Sequence, residues 1–382
     1  MKLTIQRTHL VGALAVVKSA ASSKATLPIL GNVFLVAHEK SITLTTTDLD
    51  VTLRTKIAAD ILAKGETTCR AGLLHDLVKS FAADHLTLAL DKNSLKLVAG
   101  EAKFDLAVLP PEEFPALPKL AGAREFNLLE YELQALLHHT TFARSTDDSR
   151  LILNGTLIRI VGSLRTAKVL ADGQQEDPAP TGITVCACDG KRLAVEQART
   201  LAPDFSADLI LPGKAVTELL RLLSTNEEKP SKVNIQFTDK LASFTFGDHT
   251  LITRLMDGSY PNYAQIIPDL TDGVSVSRPE LLACVRRVAL ITDGVKLEFR
   301  PQELLISAHA TNAAHQLGKS SESMLAGGDV PATICVAAQL LLESLDAIDA
   351  EEIVVYPADE TPVAFHDPQT TWLSVIAVLK QK

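Results

Sequence analysis

Aromatic residues make up only 4% of the 382 positions, with a single tryptophan. Aliphatic side chains must therefore build the core, and a hydrophobic content of 46% supplies them. Cysteine is scarce too. Five stand at 69, 186, 188, 284 and 335, odd in number and scattered, which fits reduced thiols rather than a disulfide frame. No apolar run approaches the roughly 18 residues that a membrane-spanning helix needs. The opening MKLTIQRTHL turns polar too early for a secretory signal, so a cytoplasmic location is expected. Cations are outnumbered: 37 Lys and Arg against 46 Asp and Glu give a formal net charge of −9. Taken alone, that argues against nucleic acid. Net charge leaves its distribution open, however, and an acidic exterior can coexist with one basic wall.

Catalytic signatures are missing as well. There is no GxxxxGK[ST] loop, no GxGxxG, no HExxH and no GxSxG elbow. His138 and His139 are adjacent, a spacing that cannot turn both toward one metal from a helix. Cys186 and Cys188 share a face of an expected strand, but no second Cys or His pair joins them. Glu112-Glu113, Asp147-Asp148 and Glu351-Glu352 read as solvated loop charges. The residues indicate no enzyme, no cofactor and no metal site.

What is present is periodicity. Six segments carry a helical apolar stripe, beginning near Arg7, Gly72, Glu130, Gly213, Pro279 and Ala337. Between them lie alternating, β-branched runs with turn residues, such as NVFLVAHEKSITLTTTDLDVTL and KVNIQFTDKLASFTFGDHTLITRL, which read as antiparallel meanders. The chain divides into three units of about 127 residues, each holding two helix-plus-strands halves, an α+β fold built by duplication. Boundaries are expected at 1–120, 121–253 and 254–382, with seams near 114–126 and 251–258 and a polar loop at 171–182. In TVCACDGKRLAVE (184–196), Asp189 and Gly190 make a hairpin turn, and Lys191 and Arg192 start the return strand. Each helix should show one apolar and one polar flank. In GKAVTELLRLL, Val216, Leu219, Leu220 and Leu223 share a face, with Lys214, Thr217, Glu218 and Arg221 on the other. His75 and Lys79 are expected opposite Leu73, Leu77 and Phe81, and Arg287 opposite Leu282 and Val285.

Seven stretches in order resemble the bacterial DNA sliding clamp, the β subunit of DNA polymerase III: TLPILGNVFL (26–35), TTTDLDVTL (45–53), VLPPEEFPAL (108–117), LILNG (151–155), CDGKRLAV (188–195), LPGKAVTELLRLL (211–223) and RLMDGSYPNYAQIIP (254–268). The resemblance covers nearly the whole chain. It implies three domains of one topology and a homodimeric ring, with sheets outside and helices lining a lumen around duplex DNA. It implies a non-catalytic processivity factor in DNA replication. Its partners would be the polymerase III alpha subunit, an ATP-driven clamp loader and other clamp-motif proteins. A diffuse positive lumen without base readout would suit sliding, and an acidic outer wall would repel DNA there.

By the same resemblance, Lys24, Arg150 and Lys214 fall on DNA-facing positions, joined by Lys79, Arg221 and Arg287 from the helix faces. Leu151 and Ile152 stand where the family has two aromatics. Phe104 and Leu106 of KFDLAVL would meet Leu290 and Ile291 of a second chain. Leu153, Gly190, Lys191, Arg192, Leu193, Pro261, Ile266 and Pro362 would line a cleft for short linear motifs. Leu193 would offer that cleft apolar surface, and Arg192 hydrogen bonds to the peptide backbone.

Departures concentrate at this cleft. Gln265 replaces a family arginine, and Ala337 and Leu340 replace Asn and Tyr. The loop after ALITD is short and lacks a family aromatic. Val375, Ile376, Ala377 and Val378 replace a Met-Pro-Met-Arg-like ending. Losing Met removes adaptable surface, and losing Pro would let the last strand run on. Three functions are therefore carried: a main processivity clamp, an accessory clamp for specialised polymerases, repair or drug tolerance, and a regulator that does not encircle DNA.

Overall fold

A computed structural model describes residues 1–382 except 23–26, 163–180, 310–317, 329, 358–361 and 380–382. Apart from an added strand at Asp60–Ala63 in the first pass, one element order runs through the chain three times. The first pass is β1 (Lys2–Gln6), α1 (Arg7–Val17), β2 (Asn32–Ala37), β3 (Ser41–Thr47), β4 (Val51–Ala58), β5 (Asp60–Ala63), β6 (Gly65–Arg70), α2 (Ala71–Ser80), β7 (His85–Asp91), β8 (Ser94–Ala99) and β9 (Ala102–Leu109). The second is β10 (Arg124–Leu129), α3 (Glu130–Thr141), β11 (Gly155–Val161), β12 (Gly182–Cys188), β13 (Arg192–Gln197), β14 (Ala207–Pro212), α4 (Gly213–Leu222), β15 (Lys232–Phe237), β16 (Leu241–Phe246) and β17 (His249–Arg254). The third is β18 (Val274–Ser277), α5 (Arg278–Val288), β19 (Gly294–Arg300), β20 (Glu303–His309), β21 (Ser321–Gly327), β22 (Ala332–Ala337), α6 (Ala338–Asp346), β23 (Glu352–Tyr356), β24 (Val363–His366) and β25 (Leu373–Ile376). All six helices start within a residue or so of the expected positions. No described helix is long and apolar enough to cross a membrane. The expected loop at 171–182 lies outside the described residues up to 180, and its last residue, Gly182, already belongs to β12.

Contacts gather the chain into two compact units, 1–131 with 217–255 and 132–216 with 256–382. The first holds an antiparallel sheet of 13 strands, β10-β15-β16-β17-β4-β3-β2-β6-β9-β8-β7-β1-β5. The second holds one of 12, β14-β11-β12-β13-β25-β24-β23-β18-β21-β20-β19-β22. Alternation explains the strands: Leu3 and Ile5 of β1 are buried while Lys2 and Gln6 are exposed. Helix α5 starts where Ser277 caps the Glu280 amide, with Pro279 in the first turn and Glu280 at the positive end of the dipole. Trp372 is fully buried in the second unit and donates Nε1–H to the His139 carbonyl at 2.9 Å.

Register repeats as well as order. The last strand of one pass pairs with the third strand after the first helix of the pass before it: β17 with β4 (Leu251 opposite Leu53) and β25 with β13 (Val375 opposite Leu193). At or shortly beyond each last strand, the chain meets the strand before the second helix. Leu109 pairs with Thr68, the Met256 amide donates to Ile210 O at 2.9 Å, and the Leu379 amide donates to Cys335 O at 2.7 Å. The final strand does not run on as expected: β25 ends at Ile376 and only an isolated bridge follows at Val378.

Two helix faces differ from expectation. In α2 the buried residues are Ala71, Leu74, His75 and Val78, while Leu73 is 50% exposed. The stripe is rotated by one residue because His75 has polar partners: its Nδ1 lies 3.3 Å from Lys18 Nζ and 3.0 Å from Asp76 Oδ1. In α4, Glu218 is buried rather than exposed, because Arg221 and Ser19 satisfy its carboxylate.

Candidate functional site

The 184–196 stretch is a hairpin between β12 and β13, with Cys188 opposite Leu193. Asp189 Oδ1 accepts from the Lys191 amide at 2.8 Å and the Arg192 amide at 3.0 Å, so the side chain itself closes the turn. Lys191 belongs to the turn, and the return strand begins at Arg192. Gly190 has φ +86°, and a Cβ there would lie 2.5 Å from Arg150 Nη1. That same Nη1 donates to Asp189 O at 2.8 Å. Cys186 and Cys188 share a buried apolar face, and burial pushes both thiols up. Among the described residues no group of His, Cys, Asp or Glu could hold a metal ion.

The expected cleft residues divide between two apolar clusters of the second unit. Leu193 and Val375 sit in one, with Leu153 of the 3-10 turn Leu151–Asn154 packed against it. Ile376 sits in the other, with Leu340 and Val378 against it. Leu193 corrects an expectation: it is 0% exposed, so it offers a ligand no apolar surface in this conformation. Its side chain is consumed by packing across β12, β13 and β25. Val375 and Ile376 are buried too, leaving Ala377 exposed. The Ala377 amide donates to Lys191 O at 2.8 Å, and Val378 bridges Val336 of β22. Pro261, Gln265 and Ile266 are exposed, Ala337 and Pro362 half-buried.

Arg192 is also otherwise engaged. Its Nε donates to Asp189 Oδ2 at 3.1 Å, its Nη1 pairs with Glu343 of α6, and its guanidinium lies 5.3 Å over the Phe142 ring. Burial pushes the Glu343 carboxyl up, but hydrogen bonds from Gln339 and Arg192 outweigh it and hold the group below the usual carboxylate range. Neither Glu343 nor Phe142 was singled out from sequence. The helical spacing that puts Glu343 four residues after Gln339 is visible there, but its partner 151 positions away is not.

Of the expected DNA-facing cations, Lys24 lies outside the described residues. Lys79 and Lys214 are exposed. Arg150 is half exposed, bound to the hairpin turn and 4.0 Å from Asp147. Arg221 is tied down: it donates to the Ala15 and Val16 carbonyls at 3.3 and 2.7 Å, to Ser19 at 3.0 Å and to Glu218 at 2.8 Å. Arg287 faces away from buried Leu282 and Val285 as expected, but it forks onto Glu322, which neutralises it. These two arginines mainly compensate buried or neighbouring acids.

At the edges, β9 pairs with β8 over 102–107 and with β6 at Val108 and Leu109, so among the described residues its other edge is open over 102–107. Phe104 is 40% exposed, its ring 5.6 Å from that of Phe81. Leu106, expected beside it, is 7% exposed and already packed in its own unit. Leu290 is 77% exposed just beyond α5, and Ile291 is half-buried.

Family models for the DNA polymerase III beta subunit match this chain, the N-terminal domain over residues 1–118 and the central domain over 127–262. A beta sliding clamp of Pseudomonas aeruginosa is 30% identical over 318 residues, 81% of each chain. The crystal structure of a DNA polymerase III beta subunit from the same organism superposes with a TM-score of 0.89 at 26% identity, covering 100% of both chains. A P. aeruginosa clamp solved with griselimycin bound gives the same TM-score, identity and coverage.

Proposed function

The chain belongs to the family of bacterial DNA polymerase III beta subunits, the beta sliding clamps, and from that premise we propose that it is a processivity factor. Two copies close head to tail into a ring that encircles duplex DNA without reading its sequence. Each copy contributes three domains, 1–120, 121–253 and 254–382; the family matches at 1–118 and 127–262 support the first two. The ring catalyses nothing. It works in the cytoplasm, where it tethers the polymerase III alpha subunit and other motif-bearing proteins and is opened by an ATP-driven loader.

The observation that carries this reading is an incomplete strand pattern. Last strands pair with the preceding pass twice, as β17 with β4 and β25 with β13. Among the described residues no third such pair forms: the last strand of the first pass, β9, has a free edge over 102–107, and β21 has one over 321–325. Carrying the register across sets residues 318–322 of one copy opposite residues 106–102 of the other. The same alternation turns Phe104 toward the end of α5, where Leu290 and Ile291 lie. Gly318 supports that placement, since a Cβ on it would touch Ile291 at 3.6 Å. A heterologous contact of this kind closes when the rotation permits.

Retention by topology follows. With Arg221 and Arg287 neutralised, the attraction is weaker than all six expected cations would give, enough for loose attraction but not for tight binding. The partner cleft lies around the 189–193 turn, Pro261, Ile266 and the 375–378 segment. The test is retention on a nicked DNA circle after loading. The protein should stay on the circle and run off once it is linearised; equal loss from both forms refutes encirclement.

A further inference from the structure

Arg192 is held on three sides, by Asp189, by Glu343 and by the Phe142 ring, and only 9% of its side chain is exposed. Glu343 is itself braced, its Oε1 accepting from Gln339 Nε2 at 2.6 Å one turn earlier on α6. A guanidinium carries five N–H donors in a rigid fork. Here Nε and Nη1 face carboxylates, and among the described residues no acceptor meets Nη2. We infer that Glu343 is a positioning residue, which with Asp189 fixes Arg192 so that Nη2 presents its N–H groups to an acceptor on a docked peptide segment. This rests on the cleft proposed above and names the chemistry read there. Two carboxylates already surround the one cation, so the group recognised is a neutral carbonyl or amide oxygen; a carboxylate would be repelled. Fixing the fork beforehand removes an ordering cost at the moment of docking.

Calorimetric titration of the full chain with griselimycin, the compound bound in a solved clamp, tests it through a double-mutant cycle. Arg192→Ala and Glu343→Ala should each weaken binding by about tenfold, the scale of one side chain's ordering cost. The double variant should bind no worse than Arg192→Ala alone, because Glu343 acts through the arginine. Glu343→Gln, which keeps an acceptor, should retain most of the affinity. Gln339→Ala removes only the brace and serves where Glu343→Ala fails to fold. Independent, multiplying effects, or unchanged or tighter binding by Glu343→Ala, overturn the inference. Ile266→Glu separates the two proposals. If it abolishes binding while the Glu343 variants are silent, only the positioning role fails. If it and Arg192→Ala are both silent, the cleft reading fails.

Discussion

Leu290→Asp is the sharpest perturbation of the proposed assembly. Leu290 is 77% exposed just after α5, so the change costs a single chain little. In the proposed ring the same side chain is covered by Phe104 and its neighbours. Full burial of a leucine contributes about 1.5–3 kcal/mol, so covering the exposed share contributes roughly 1–2 kcal/mol. A head-to-tail dimer uses the contact twice, giving roughly 2–4 kcal/mol, or about 30- to 700-fold in the dimer dissociation constant. The buried carboxylate adds a further penalty, so this range is a lower bound. Sedimentation velocity over a concentration series measures the shift, with thermal melting as the control. The parent chain should be a dimer at micromolar concentration and the variant mainly monomer, with melting of the dissociated chains alike. A parent that stays monomeric, or a variant whose dimerisation is unchanged, refutes the register argument.

Arg221→Ala removes one of the partners of buried Glu218, leaving Ser19 among the others, and should cost about 1–3 kcal/mol in urea unfolding. Lys79→Glu, on an exposed position, should leave unfolding unchanged and shorten retention on DNA circles. Leu49 has φ +82° where the equivalent turn has Gly190, so Leu49→Gly should gain up to ~1 kcal/mol, seen as a higher urea midpoint. All five cysteines are buried, and burial pushes the Cys69 thiol up to about 12, so a thiol reagent at mildly alkaline pH should label none until denaturant is added. The depressed Glu343 carboxyl means that its stabilising contact with Arg192 is complete above the ordinary carboxylate range and is lost as pH falls through the lowered value. The melting temperature should therefore fall more over that acidic window in the parent than in Glu343→Gln.

Helix positions were legible in the sequence because each helix carries its own apolar stripe, a local property. The hairpin at 189–191 was legible because Asp and Gly encode a turn without help from elsewhere. What stayed hidden depends on residues far apart. His75 looked like a polar-face residue until Lys18, 57 positions earlier, came within 3.3 Å. Arg221 and Arg287 looked like solvated cations, but Ser19 and Glu322 lie 202 and 35 positions away. Leu193 looked available because alternation predicts which face a side chain takes, not whether Tyr260 and its neighbours cover that face. Resemblance groups the cleft positions together; burial divides them between two clusters.

Duplicated topology does not dictate duplicated surfaces, and one strand position shows how side chains decide. Phe34, Leu157 and Lys296 hold the same place, the third residue of the first strand after the odd-numbered helices. Phe34 stacks on Phe114, which follows β9. Leu157 is fully buried in a cluster with Tyr260 and Met256, which follow β17. At Lys296 the apolar residue gives way to a charged row, with Glu298 at 3.4 Å and Arg300 pairing onto Glu298 at 2.7 Å. A covered face needs apolar residues to make covering favourable, while an ion-paired row is already content in water. Exchanging the two should therefore be asymmetric. Lys296→Phe adds an exposed aromatic and should promote self-association, read by light scattering. Phe34→Lys inserts a charge beneath Phe114 and should lower the melting temperature by several degrees. Equal, negligible effects of both would show that the backbone repeat alone fixes what each face does.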